Sequence, residues 1–482
     1  MSQTRYETVI GLEVHVQLCT KSKIFCGCST LFGAEANTQI CPICAGFPGV
    51  LPVLNQEVVR MAIKTGLAIQ GQIRTHSEFA RKNYFYPDLP AGYQISQFDR
   101  PIIEGGFILL DQGGAEEKIN KIGITRIHME VDAGKSLHEG ISGASWVDLN
   151  RTGTPLLEIV SEPDLRSSSE ACEYLKKLRS IVRYIEVSDG NMEQGSLRCD
   201  ANVSVRPLGN QSFGTRCELK NLNSIRNVGR AIDYEVARQI DLIESGGQVV
   251  LETRLWDAEK GVTRSMRGKE EAHDYRYFPE PDLPPLHISP EFIQEVADSL
   301  PELPDARCLR FQNQFHLSSY DAGVLTASRE LADYYESILK IPTVDPKIAA
   351  NWVTVELLGR LNKEGRDIQE ASVPPADLGR LIALIHSGTI SGKMAKQLFD
   401  EMCASGKTPE ELIQTQGLSQ LSDLAALEAE VERVLLNNPQ EVINYRAGKT
   451  KLMGFFVGQV MSATRGKANP ALVNSLLQEK LK

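Results

Sequence analysis

Glu13-Val14-His15-Val16-Gln17-Leu18-Cys19 decides how this chain begins to fold, because polar and apolar residues alternate along it one for one. A period of two places Val14, Val16 and Leu18 on one face of a β-strand and Glu13, His15, Gln17 and Cys19 on the other. The first face is core material; the second is a row of potential ligands. Working outward, Cys26-Gly27-Cys28 and Cys41-Pro42-Ile43-Cys44 follow closely. Two close thiol pairs, with Gly and Pro supplying tight turns, match the spacing of a tetrahedral four-cysteine zinc knuckle. Four thiolates leave no open coordination position, so such a zinc would be structural. Carboxylate and imidazole on the strand can instead share a metal with phosphate oxygens, which makes Glu13 and His15 the better candidates for chemistry.

The chain has 482 residues, room for about three domains at roughly 150 residues each. Its 42% apolar and 24% charged residues are ordinary for a soluble globular protein. No apolar run approaches the roughly 18 residues that a membrane-spanning helix needs. The start, Met1-Ser2-Gln3-Thr4-Arg5-Tyr6-Glu7, has neither signal-peptide nor transit-peptide character. With four of the ten cysteines assigned to the knuckle and the others scattered, a reducing, cytoplasmic setting is expected rather than a disulfide framework. The net charge of −10 argues against a uniformly basic nucleic-acid binder, and neither DNA nor a membrane is an expected partner. The end of the chain is a local exception. From Glu441 to Lys482, Arg446, Lys449, Lys451, Arg465, Lys467, Lys480 and Lys482 face only Glu441 and Glu479, so a polyanion contact is expected there.

Up to about residue 290 short β-like runs dominate, among them Ile122 to Met129, Ser145 to Leu149, Leu156 to Ser161 and Ala201 to Arg206. Ser167-x-x-Glu170 has the capping-box form and opens a helix with Leu175, Leu178, Val182 and Ile185 on one face. A second helix is expected from Ser224 to Glu244, with Val228, Ile232, Val236, Ile240 and Ile243 on its core side and Gly246-Gly247 as its stop. Pro279-Glu280-Pro281-Asp282-Leu283-Pro284-Pro285 reads as a stiff linker, beyond which nearly everything has helical period. Pro409 looks like the first residue of a new helix. Asn444 to Lys449 reads as a loop-like turn between helical runs. The expectation is an α+β chain: a mixed β-rich domain over 1–290, an all-α domain over 291–406 and a small all-α tail over 407–482.

Five acids, Glu13, Glu130, Glu158, Asp200 and Glu218, sit among apolar β-formers. An acid in that context faces solvent, pairs with a cation or binds a metal. For any one of them a solvated sheet face is the blander reading; five together with His15 point to magnesium or manganese and hence to a nucleotide triphosphate. The usual nucleotide signatures fail. Gly134-Lys135-Ser136 and Gly448-Lys449-Thr450 end like a P-loop, but the first glycine that motif needs falls at Met129 and Ile443. Arg81-Lys82-Asn83-Tyr84-Phe85-Tyr86 interleaves cations with rings that can stack on a base, or else forms a partly exposed β-edge before a proline turn. His128, His138 and His273 have no partner spacing and read as surface or core histidines. Tyr84-Phe85-Tyr86-Pro87-Asp88-Leu89-Pro90 and Tyr275-Arg276-Tyr277-Phe278-Pro279 echo each other, although two copies make no repeat.

These segments together resemble the B-subunit family of the glutamyl-tRNA(Gln)/aspartyl-tRNA(Asn) amidotransferases of bacteria and organelles, essentially end to end. The resemblance rests on Gly11-Leu12-Glu13-Val14-His15, on Arg81 to Asp88, on Tyr93 to Gln97 and on Asp132 to Ser136. It extends over Val147 to Glu158, Ser196 to Asn202 and Asp274 to Asp282. It implies a largely antiparallel cradle domain, a helical domain and a tail similar to the small YqeY proteins. It further implies ATP- and magnesium-dependent phosphorylation of the side-chain carboxylate of Glu-tRNA(Gln) or Asp-tRNA(Asn), followed by amidation with ammonia. Carried over residue by residue, one magnesium would be held by His15, Glu130 and Glu158 and another by Glu13, Asp200 and Glu218. Lys82 matches a lysine at the mouth of an ammonia channel. The chain shows no amidase or glutaminase pattern of its own. The resemblance therefore implies an amidase-type A subunit as the ammonia source, a small C subunit and a heterotrimeric ligase that uses glutamine as amide donor. Some members lack the four cysteines, which agrees with a structural zinc on Cys26, Cys28, Cys41 and Cys44.

Three other readings compete. An archaeal relative specific for glutamyl-tRNA(Gln) usually carries a large inserted domain for which this chain has no room. A non-catalytic tRNA-binding scaffold would not hydrolyse ATP in response to misacylated tRNA. A free-standing metal-dependent phosphotransferase would be active without partners.

Overall fold

In the computed structural model, residues 5–111, 119–137, 145–268, 274–416, 424–464, 468 and 470–481 are described. The chain divides into two compact units, Met1–Leu303 and Pro304–Lys482.

The first unit is built on a ten-stranded sheet with Tyr6–Gln17 between Pro155–Ser161 and Leu197–Pro207. Ile119–Val131 lies beyond Pro155–Ser161; Cys217–Lys220, Glu252–Asp257 and Val262–Gly268 lie beyond Leu197–Pro207. These neighbours pair antiparallel, except Cys217–Lys220 with Glu252–Asp257, which are parallel. Register does the rest. His15 is opposite Glu158, Glu13 opposite Asp200, Glu158 opposite His128 and Asn202 opposite Glu218. Directly opposed residues share a face of a pleated sheet. The alternate set, Leu12, Val14, Val16, Leu157, Ile159, Ala201 and Leu219, is buried on the other face in one core with the helices Gln56–Ala68, Ser168–Tyr184 and Ile225–Glu244. Each such Val, Leu or Ile contributes roughly 1.5–3 kcal/mol, so a slip of one residue is strongly disfavoured.

Both long helices begin at the expected serines. Ser167 accepts from the Glu170 N–H, while Glu170 reaches back to the N–H of Arg166, one residue before the cap. Ser224 accepts from the Asn227 N–H. The buried face of Ile225–Glu244 differs from the apolar pattern: Glu235 and Gln239 are fully buried, whereas Val236 and Ile243 are half-buried. Glu235 tolerates this because Arg238, Gln239 and Thr263 donate to its carboxylate and Arg254 lies within 3.4 Å.

Pro290–Asp298 packs Val296 into the first core, so the proline-rich stretch lies inside the first unit rather than at its end. The second unit is helical and has two separate cores. One contains Phe311, Tyr335, Trp352, Leu381 and Phe399, and Leu412 of the helix Pro409–Gln416 belongs to it. The other contains Leu427, Val431, Phe456, Val460 and Leu477. The division between cores thus falls after Pro409–Gln416, because Leu412 has its apolar partners upstream. Among the described residues no helix is long and apolar enough to cross a membrane, and all ten cysteines are free.

Candidate functional site

Five adjacent strands deliver the polar face of the sheet into one cavity of about 520 Å³. Glu13, His15, Glu130, Glu158, Asp200, Glu218 and Lys82 all line it. Gln17, on the same face, is bonded instead to Asp132, and Cys19 lies past the strand end, exposed.

His15 is the hub of one half. Its Nε2 is 3.4 Å from Glu158, 3.5 Å from Glu130 and 3.8 Å from Glu13. His128 lies at the floor, fully enclosed, with Nε2 3.2 Å from Glu158 and 3.6 Å from Glu130. Its alternation with Glu130 on one strand face is a signal that the sequence reading passed over; the register opposes it to Glu158 as well. His138 and His273 lie outside the described residues. In the other half Lys220 sits between acids, its Nζ 2.5 Å from Asp200 and 2.9 Å from Glu218, while Thr253 donates to Glu218. The signal for Lys220 is its alternation with Glu218 on one strand face.

Burial and crowding set the charges. Burial, and next the charge of Glu158, push the Glu13 carboxyl up to about 7. Burial works against a charged His128, but Glu158 and Glu130 outweigh it and lift the imidazole to about 9. Burial likewise opposes ionised Glu158, yet the bonds from His128 and His15 hold its carboxyl well below the usual range. For Lys82 burial is outweighed by Glu130 and its neighbours, and the ammonium stays charged.

A wall of rings closes the cavity above Lys82. Tyr84, Phe98, Tyr275 and Tyr277 line it; Phe98 stacks on Tyr277 at 4.2 Å, and Lys82 Nζ is 5.0 Å from the centre of the Tyr275 ring. The two echoing segments meet here, with the Tyr84 and Tyr275 rings edge to face at 6.0 Å, and beside them Arg81 is opposite Phe278 in a strand pair. Arg81 itself points away from the cavity, onto Glu280, Asp282 and the Tyr93 ring. Arg81 and Lys82 are therefore not one basic cluster: alternation along the strand sends them to opposite faces.

The donor set suits hard divalent cations. Glu13, His15 and Glu158 offer ligand atoms within 4.8 Å of one another, as do His128, Glu130 and Glu158. Cis ligands of an octahedral ion with bonds of about 2.1 Å lie about 3.0 Å apart, so His15 with Glu158 and Glu130, at 3.4 and 3.5 Å, is close to that spacing. Between Asp200 and Glu218, two of the acids expected to share a second ion with Glu13, stands the Lys220 ammonium.

Cys26, Cys28, Cys41 and Cys44 form a separate cluster, also within 4.8 Å. Cys44 Sγ is 3.9 Å from Cys41 and 4.0 Å from Cys28. A tetrahedral zinc with Zn–S of roughly 2.3 Å needs edges of about 3.8 Å, so the thiols fit. A second observation agrees. Lys23 is fully buried, and its Nζ contacts the Gln39 carbonyl at 2.8 Å and Cys44 Sγ at 3.5 Å. A buried ammonium there requires thiolate charge. The Cys44 thiol is drawn down to about 4, chiefly by the bond from the Cys26 thiol, with Lys23 adding to it.

The sheet and its cavity define a class: a largely antiparallel cradle whose polar face gathers carboxylates and imidazoles beside a lysine and a ring of aromatics. A family model described as the GatB/GatE catalytic domain matches residues 8–294, and one described as the GatB domain matches residues 333–481; the chain belongs to this family. It is similar to the B subunit of the aspartyl/glutamyl-tRNA(Asn/Gln) amidotransferase of Alkalilimnicola ehrlichii, 60% identical over 476 residues that cover 99% of each chain. The proteins of the same name from Halorhodospira halophila and Myxococcus xanthus are 59% and 57% identical, over 99% and 100% of each chain.

Proposed function

We propose that this chain is the activating subunit of a tRNA-dependent amidotransferase. It transfers the γ-phosphoryl group of ATP to the side-chain carboxylate of Glu-tRNA(Gln), Asp-tRNA(Asn) or both, and then catalyses amidation. The observation that carries this reading is the single cavity lined by Glu13, His15, Glu130, Glu158, Asp200 and Glu218, in a chain of this family.

A free carboxylate does not react with ammonia at neutral pH, because its oxygen is a poor leaving group. Attack of that oxygen on the γ-phosphorus releases ADP and makes an acyl phosphate. Ammonia then attacks the acyl carbon, the C–O bond to phosphate breaks, and the phosphate leaves with the surplus proton. Two magnesium ions, one on His15, Glu130 and Glu158 and one on Glu13, Asp200 and Glu218, supply neutralisation of the phosphate charge when bound. The protein's own part is alignment. The sheet fixes the carboxylates, Lys82 meets developing negative charge at the rim, and Tyr84, Tyr275 and Tyr277 narrow the entrance and keep water from the acyl phosphate.

The same reading assigns ammonia supply to an amidase-type glutaminase A subunit, with a small C subunit completing a heterotrimer. It assigns a structural zinc to the four cysteines and a cytoplasmic setting to a chain whose cysteines are all free. The test is to copurify the partners and assay amidation of both misacylated tRNAs with ATP, using glutamine or ammonium as donor. ATP hydrolysis that depends on misacylated tRNA is expected. Amidation that proceeds without ATP, or a chain that only binds tRNA, would overturn the proposal; phosphoryl transfer without tRNA or partners would make it a free-standing phosphotransferase.

A further inference from the structure

His76 and His287 are directly opposed across a short antiparallel strand pair, His76–Ser77 with Leu286–His287, far along the chain from each other. Their imidazoles are tilted by 56° with centroids 4.7 Å apart, and the two Nδ1 atoms face each other at 3.4 Å. Two nitrogens on one tetrahedral zinc-like ion, with bonds of about 2.0–2.1 Å, lie about 3.4 Å apart. The opposite edge of His76 is also prepared. Its Nε2 is 3.2 Å from Glu78 Oε1, and Arg100 Nη1 holds the same oxygen at 3.0 Å. A carboxylate that takes the Nε2–H fixes the tautomer in which Nδ1 offers its lone pair, the arrangement that orients and strengthens a metal-ligating histidine.

We propose that His76 and His287 form a cross-strand binding site for a borderline transition-metal cation of the zinc, nickel or copper class, with Glu78 as the positioning residue. Imidazole nitrogen prefers these ions to magnesium; the cavity also offers His15 and His128 to them, so the cross-strand site is recognised by its loss in the histidine variants. Neither histidine belongs to a three-ligand group among the described residues, and both are solvent-accessible. Water therefore fills the remaining positions, and the metal is exchangeable, unlike a zinc held by four thiolates.

Such a site acts on the fold through the chain that carries it. Leu286–His287 ends the segment that brings Tyr275 and Tyr277 to the cavity, and it is tied down by the strand pair and by the Ile288 N–H donating to the Thr75 carbonyl at 2.9 Å. A strand of two residues is a weak fastening. An ion bridging His76 and His287 links its two sides and slows opening of the segment.

Titration of the full chain with Ni²⁺ by calorimetry tests this, beside His76→Gln, His287→Gln and Glu78→Gln. Beyond the nickel taken by the cavity and the four thiols, one further saturable site is expected in the parent. Either histidine variant should lose it, and Glu78→Gln should weaken it about tenfold, the low end of the cost of removing such an outer partner. Hydrogen exchange of residues 283–288 should slow on adding Ni²⁺ in the parent and not in His287→Gln. All three substitutions are at half-exposed or exposed positions, and melting without metal checks that each variant folds. Absence of a saturable site would overturn the proposal. So would a number of sites that is unchanged in both histidine variants, which would place all the nickel in the cavity or on the thiols.

Discussion

Arg81 and Glu280 meet in a two-pronged ion pair from positions 199 residues apart, with Nε and Nη2 each 2.8 Å from a carboxylate oxygen. Glu280 is buried, and the guanidinium lies 4.1 Å from the centre of the Tyr93 ring. The pair clamps the segment bearing Tyr275 and Tyr277 onto the hairpin bearing Lys82 and Tyr84. Asn83 adds side-chain bonds to the carbonyls of Tyr275 and Arg276 at 3.1 and 2.9 Å.

Glu280→Ala should therefore leave the sheet intact and loosen the aromatic wall. Truncating one partner of such a pair costs about 3 kcal/mol, enough to open the segment locally. Faster hydrogen exchange over 274–282, with a raised KM for misacylated tRNA, is the expected readout. Arg81→Lys should behave similarly, because an ammonium cannot make the fork. Unchanged exchange in both variants would show that the wall is held by other contacts.

Glu158→Gln and Asp200→Asn should each lower amide formation by about a hundredfold or more, since lost ligand charge leaves phosphate unneutralised. Both side chains face the cavity, so folding should be preserved. The partner's glutaminase activity, measured alone, should not change. Near-normal amidation by Glu158→Gln would remove the acid row from the mechanism.

Cys44→Ser should cost zinc and local order before it touches chemistry, because binding energy at such a site is folding energy. Lys23→Met should weaken zinc retention by about tenfold, since it removes the cation facing the thiolates. Metal content after dialysis against a chelator, together with protease sensitivity of residues 26–44, reads both effects. Protein purified without chelator that holds no zinc would count against a structural metal here.

How much of this is legible in the sequence follows from which interactions are periodic. Alternation in Glu13 to Leu18 and around Glu158 and Asp200 fixes faces, and the serine caps fix where two helices begin. Register is a long-range property, so the pairing of His128 with Glu158 is invisible along the chain, although its alternation with Glu130 is not. The buried face of Ile225–Glu244 escapes its apolar pattern for a related reason. Glu235 looks like a surface acid paired with Arg238 until Arg254 and Thr263 are brought to it from two strands. Asn444, Tyr445 and Arg446 are loop-like in composition but finish the helix Pro439–Arg446, with Tyr445 packed edge-on to Phe456 at 6.4 Å.

Glu235→Ala should accordingly destabilise the first unit by about 3 kcal/mol, because half-buried Arg238 loses its carboxylate while Arg254 keeps Glu252. Burial pushes the Glu235 carboxyl up, but the bonds from Arg238, Gln239 and Thr263 more than offset it and hold it below its usual value. That stabilisation is fully present above the ordinary value of 4.5 and is lost as pH falls through the depressed folded value. Denaturant melts of parent and variant should therefore converge in acid and differ most at neutral pH. A constant difference across the acid range would assign the loss to packing instead.

The last prediction concerns the basic end of the chain and tRNA. Arg446, Lys449 and Lys451 are exposed around the turn that follows Pro439–Arg446, while Lys480 is engaged by Glu432 at 2.6 Å. Arg465, Lys467 and Lys482 lie outside the described residues. Because Leu412 packs into the upstream core, truncation should follow residue 416 rather than begin at Lys407, or it would damage the preceding bundle. The core of Leu427, Phe456 and Leu477 is separate and can be removed whole. The truncated chain should keep its melting behaviour and its partner assembly, and the assembled complex should keep the partner's tRNA-independent glutaminase activity. It should bind tRNA more weakly, with a raised KM for the misacylated substrate. Phosphate contacts release counterions, so each one lost should lower the logarithmic salt slope by roughly 0.7 to 0.9. Substituting Arg446, Lys449 and Lys451 by Ala in the full chain should reproduce part of that change without loss of fold. Unchanged affinity and salt slope in both proteins would reassign the tail to assembly.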